Sequence, residues 1–230
     1  MRRKYYENSE EYFYVNRQRI EIPRSFECSS IYASHYSDLN EALKRYANEK
    51  ILTSNCSIFK ESWLDRNRIF FKPAPEEQMQ TSLKEFLSSA LRGVKIIREH
   101  NLNASKPVDI MVEWTEANKS ALIELKWLGK SKRGNNLTTY TDNRADEGSR
   151  QLKEYLDMDN TDTPNKISKA YLVVIDGRRK GTNKNTTTIN SENGFFYENQ
   201  EINFSDEHKY FERLKNFARP IRMFAKPIIS

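Results

Sequence analysis

From residue 69 onward the chain moves between two hydrophobic rhythms. Ile69-Phe70-Phe71 is a short apolar run closed by Pro73 and Pro75, and it predicts a brief strand. Pro75 suits the first position of a helix, and Met79, Leu83, Phe86, Leu87 and Ala90 then recur at helical spacing up to Gly93. Val94 to Glu99, Val108 to Trp114 and Ala121 to Leu128 read as three strands. A polar loop is expected from Gly129 to about Glu147, then a helix with Leu152, Tyr155 and Leu156 on one face. The unbroken run Ala170-Tyr171-Leu172-Val173-Val174-Ile175, stopped by Asp176-Gly177, predicts a buried central strand. After a second polar loop to Gly194 we expect a hairpin. A last helix, about Asp206 to Ala218, would carry Tyr210, Phe211, Leu214 and Phe217 as its stripe. Helix, three strands, helix, strand is an order that suits a mixed α/β sheet covered on both faces.

The stretch before residue 69 is less patterned. Phe13 to Ile22 reads as a strand or hairpin arm, Ser37-Asp38 opens a helix through Leu43 and Tyr46, and a short helix is expected over Ser57 to Asp65. No chemistry is legible there, so residues 1–68 are read as an accessory region, suited to a protein partner, and 69–230 as the functional domain.

Composition narrows the class. With 37% hydrophobic, 30% charged and 12% aromatic residues among 230, the chain reads as globular. A net charge of +6 favours a polyanionic partner, because neutralising phosphates releases counterions. Two cysteines, Cys28 and Cys56, without metal spacing fit a reducing cytoplasm. The basic start is not followed by the apolar core of a signal peptide, and no membrane span is expected.

The chemistry concentrates in two predicted strands. Lys106-Pro107-Val108-Asp109-Ile110-Met111-Val112 places one acid at the head of an apolar strand. In Ala121-Leu122-Ile123-Glu124-Leu125-Lys126-Trp127, strand alternation puts Glu124 and Lys126 on one face and Ile123, Leu125 and Trp127 on the other. Charges inside such a strand are costly unless they serve a purpose. If Asp109 lies on the neighbouring strand, two carboxylates, a backbone carbonyl and waters would suit Mg²⁺. Glu207-His208-Lys209 repeats the Glu-x-Lys spacing in a polar setting and is read as surface. His35, His100 and His208 show no ligand spacing. The cations Lys130, Lys132, Arg133, Arg178, Arg179 and Lys180 fall in the two polar loops, where phosphate contact and plain solvation compete as readings.

Asp109 followed by Glu124-Leu125-Lys126 resembles the core motif of the PD-(D/E)xK nuclease superfamily, with the proline displaced to Pro107-Val108-Asp109. Gln151-Leu152-Lys153-Glu154-Tyr155 is similar to the Q-x-x-x-Y element of its RecB-like branch, and the element order resembles the family's αβββαβ core. The likeness covers roughly residues 69 to 176. It implies a restriction-endonuclease-like fold and a nuclease using Mg²⁺, with Mn²⁺ able to substitute. Asp109, Glu124 and the Leu125 carbonyl would hold the metal. The helix acid Glu76 or Glu77 would assist, helical phase favouring Glu76. Lys126 would act on water and transition-state charge. Gln151 and Tyr155 would position the strand or the lysine. DNA is the first expected substrate and restriction or defence the expected setting. A homodimer, an RNA-directed nuclease, a partner-dependent or non-cutting nucleic-acid binder, and an α/β protein with an accidental motif stay open.

Overall fold

The structure, a computed structural model, describes residues 3–7, 10–15, 18–21, 34–100, 107–114, 117–163 and 165–230. Three short strands come first, β1 (Arg3–Glu7), β2 (Glu10–Val15) and β3 (Gln18–Glu21), paired as an antiparallel meander. The hairpin expected from Phe13 to Ile22 is thus β2–β3 as far as residue 21, and Ile22 and Cys28 lie outside the described residues.

Helix α1 (Tyr36–Tyr46) follows, then a π-turn over Ala47–Ile51 and the single-turn α2 (Ser57–Lys60). Leu39, Leu43, Tyr46, Ile51, Phe59 and Trp63 join one hydrophobic core with α3 (Glu76–Ala90) and the main sheet. A domain boundary at residue 68 therefore falls inside a packed core: the early Tyr- and Asn-rich composition hid an apolar stripe at helical spacing. Ile69-Phe70-Phe71 is not a strand. Only Phe71 bridges, to Trp63 and Ser131, and its ring stacks on Trp63 at 3.9 Å.

Strands β4 (Lys95–His100), β5 (Val108–Trp114) and β6 (Lys119–Arg133) run antiparallel in turn. Beyond a short β7 (Asn136–Tyr140) and helix α4 (Asp142–Asp162), strand β8 (Ile167–Asp176) lies parallel to β6, and β9 (Ile221–Phe224) lies parallel to β8. The product is a six-stranded mixed sheet of order β4-β5-β6-β8-β9, with β7 hanging from β6. One face packs on α1 and α3 through Ile110, Ile123, Leu125, Trp127 and Val173, and the other on α4 through Met111, Leu122, Leu128, Leu172 and Val174. Among the described residues no helix is long and apolar enough to cross a membrane.

One expected loop and one expected helix are ordered differently. Gly129 does not end its strand: at φ +137° it bends β6, and a Cβ there would lie 3.0 Å from the Gly177 carbonyl oxygen. Past the bend β6 leaves the main sheet and forms a hairpin with β7, so the stretch read as loop is strand, turn and the first turns of α4. The helix expected over 206–218 is reduced to a 3-10 turn at Asp206–His208 and a single α-helical turn at Tyr210–Arg213. Its apolar residues still pack on the α4 side, and the chain then adds β9, whose four residues are too few to show a period.

Candidate active site

The site forms where β5 and β6 part. Their ladder runs from Trp114–Lys119 to Ile110–Ile123 and stops. At the next position the Asp109 side chain takes over from backbone pairing: its Oδ2 accepts the Leu125 amide at 2.7 Å. Its Oδ1 accepts the Gln80 side-chain amide at 2.7 Å. The N–H and C=O of one strand residue project to the same edge, so the Leu125 carbonyl also faces the gap beside Asp109.

Glu124 and Lys126 project from β6 toward α4, as strand alternation requires. Glu124 is 2% exposed and Lys126 7%. The Lys126 ammonium donates to Glu124 Oε1 at 2.5 Å. Glu124 Oε2 and Gln151 Oε1 are buried and have no hydrogen-bond partner. Burial first, then the neighbouring Asp109 charge, pushes the Glu124 carboxyl up to about 7, against the pull of Lys126 and Arg144. Burial likewise raises the Asp109 carboxyl, opposed chiefly by the Leu125 amide and by Lys126.

Helix α3 supplies one wall. Glu76 is half-buried, Glu77 exposed. Glu76 Oε1 accepts the Trp127 indole N–H at 2.7 Å, and its charge adds to the upward push on Asp109. Gln80, not singled out from the sequence, is buried and belongs to the site. The signal for it was its place four residues after Glu76, one turn along the same face.

Helix α4 supplies the other wall. Gln151 is buried on it, and Tyr155 is buried at 4% exposure with its hydroxyl 3.4 Å from the Pro107 carbonyl. Burial, then Glu124 and Asp109, push the Tyr155 hydroxyl up. Tyr155, expected to touch nucleic acid, has its ring packed in the core between α4 and the sheet. Gly148, unnoticed in the sequence, lets α4 approach. A Cβ there would lie 2.6 Å from Lys126 Cγ and 3.0 Å from Leu172 Cδ1.

The expected phosphate-contacting cations are mostly committed elsewhere. Arg179 is buried, and its guanidinium bonds the carbonyls of Arg68, Arg178 and Ala225. Arg178 is paired with Asp176 and Asp142. Lys130 and Lys132 donate to the carbonyls of Thr182 and Lys184, tying β6 to the loop after β8. Of the six, Arg133, beside the β6–β7 turn, and Lys180 are the exposed ones. Arg179, Lys130 and Lys132 share a reason: a long loop over a sheet edge has unpaired carbonyls, and nearby cations satisfy them. Asp176 is likewise spent, pairing with Arg178 and Arg222. Glu207 is exposed, as read.

Among the described residues no three His, Cys, Asp or Glu side chains gather into a metal-holding group. The donors that do converge are hard oxygens: Asp109, Glu124 with its unpartnered Oε2, and the Leu125 carbonyl. That set suits Mg²⁺, which takes few carboxylates and keeps waters. No protein-family model, curated protein or solved structure matches the chain.

Proposed function

We propose that this protein hydrolyses phosphodiester bonds in a polynucleotide, DNA before RNA, on a restriction-endonuclease-like core. The observation that carries the reading is the buried Glu124–Lys126 pair with Glu124 Oε2 unpartnered, next to Asp109 in the gap between β5 and β6. A buried acid left with an open oxygen is expensive unless something completes it. The positive net charge and the likeness of Asp109, Glu124-Leu125-Lys126 and Gln151 to the PD-(D/E)xK pattern support the same reading.

Asp109, Glu124 and the Leu125 carbonyl would hold a divalent cation, with Glu76 assisting through water. When bound, such an ion supplies a Lewis acid for a phosphoryl oxygen and lowers the pKa of a water. The remaining work belongs to side chains. Gln80 fixes the Asp109 carboxylate. Lys126 places an ammonium where it can orient the attacking water and offset charge building on the phosphoryl oxygens. Gln151, its amide oxygen unpartnered beside that ammonium's strand, holds water or the lysine in register.

The test is cleavage of supercoiled and linear DNA, and of RNA, with Mg²⁺, Mn²⁺ or EDTA, next to Glu124→Ala and Lys126→Ala. Losing one preorganised charge typically costs about 10² to 10³ in rate. Metal-dependent cutting lost in both folded variants is expected. A folded Lys126→Ala protein that cuts like wild type would sink the mechanism, and binding without cutting under any metal would point to a partner-dependent subunit.

A further inference from the structure

Helix α4 presents one stripe to the Glu124–Lys126 strand: Arg144, Gly148, Gln151 and Tyr155, at successive spacings of four, three and four residues. Three of them have places in the site already. Arg144 is the fourth, in the first turn of the helix and on the same line.

Like Arg45 and Arg178 it lies over an aromatic ring and beside an acid, but among the described arginines it is the one with a buried Nε that has no hydrogen-bond partner. The guanidinium lies over the Tyr140 ring, 5.1 Å from its centroid. Tyr140 in turn packs edge-on against Trp127, 4.5 Å between centroids, and Trp127 holds Glu76. The aromatic row therefore links Arg144 to the α3 wall. Nη1 donates to Glu147 Oε2 at 2.8 Å, one turn along the helix, which braces the fork from one side. The side chain as a whole keeps 26% of its surface open, although Nε itself is buried. Its charge is felt at Glu124, where it helps hold the carboxyl down. A planar cation stacked on a ring, braced by Glu147, with its Nε–H unmet and part of the side chain open, is suited to take an oxyanion.

We propose that Arg144 is an anion-binding residue of this site, and that it takes a backbone phosphate of the polynucleotide next to the bond that is cut. This rests on the nuclease reading above. Arg144 belongs to substrate binding, whereas Arg178 and Arg179 are held by carboxylates and carbonyls and contribute to the fold.

The experiment is fluorescence anisotropy of a labelled DNA oligonucleotide titrated with full-length protein, in EDTA and in Ca²⁺, across a salt series. Wild type is compared with Arg144→Ala and Arg144→Lys, and thermal melts establish that each is folded. Arg144→Ala should weaken binding about tenfold and lower the log–log salt slope by about one, the signature of one lost phosphate contact. Arg144→Lys should keep the slope, because the charge remains, and recover only part of the affinity, because the fork is gone. Wild-type binding with both variants unchanged in affinity and slope would overturn the assignment of Arg144 alone. Wild-type protein that binds no polynucleotide in either buffer would overturn the nuclease reading and this proposal with it.

Discussion

Asp109 and Leu125 are joined by a side-chain-to-backbone hydrogen bond of 2.7 Å at the position where the β5–β6 ladder has ended. A carboxylate here does the work of a strand. It satisfies an amide that the parting of the strands leaves open, and it holds the gap in which the Leu125 carbonyl and Glu124 are presented. Gln80 fixes the other oxygen of the same carboxylate.

Gln80→Ala should therefore loosen Asp109 without removing it. Partners that orient a ligating carboxylate are typically worth about 10- to 100-fold in metal affinity or activity. The expected result is cleavage that needs more Mg²⁺ to reach half its maximum. A titration of cleavage against Mg²⁺ superimposable on wild type would show that Gln80 has no hold on the site.

Gly148 gives a prediction with two opposed terms. In an exposed helix interior Gly→Ala stabilises by about 1 kcal/mol. Here the added methyl would meet Lys126 Cγ at 2.6 Å. Overpacking of this kind costs about 1–3 kcal/mol. Gly148→Ala should therefore lose stability in urea unfolding, and lose activity as well, since Lys126 must move. A more stable variant would mean that α4 has room to slide away from β6.

Much of the site was legible because its strands carry charge where a buried strand should not. The alternation around Glu124 and Lys126 places them on one face, and the fold puts that face against α4. Asp109 was legible from the apolar run behind it. Part of the helices' contribution was not. Gln80 sits in a polar stretch whose burial depends on where β5 ends, which no local pattern shows. Arg144 fell in a stretch read as loop, and Gly148 just past its end, because Gly129 looked like a strand end, when it is a bend within β6. The cations of the loops misled for a related reason: positive charge in sequence does not say whether a carbonyl or a phosphate will take it.

The raised carboxyls predict how stability varies with pH. Unfolded, Glu124 would release its proton near the ordinary value of 4.5, whereas folded it keeps the proton up to about 7. Between these values the folded state binds more protons than the unfolded one, so stability falls as pH rises through that window. Asp109, raised as well, acts in the same direction. Asp146, lowered through His208 and Ser205 against its own partial burial, has its effect below 3.8, outside the window. The melting temperature of metal-free protein should decline as pH rises from 4.5 to 7, and Glu124→Gln should flatten the decline. A profile that rises across this range would contradict the environment assigned to Glu124.

Arg179 separates structural cations from substrate-binding ones. Its guanidinium is buried, and it bonds carbonyls from three parts of the chain: Arg68, its own neighbour Arg178, and Ala225 beyond β9. Burial, its largest influence, pushes the guanidinium down to about 9, so the group keeps its proton at neutral pH. Removing it strands buried acceptors, and each unsatisfied group costs about 1–3 kcal/mol. Arg179→Ala should shift the urea midpoint well below that of wild type while leaving the salt slope of DNA binding, measured on the folded fraction, where it was. Were the slope to drop by about one with stability intact, Arg179 would be a phosphate contact and its carbonyl partners incidental.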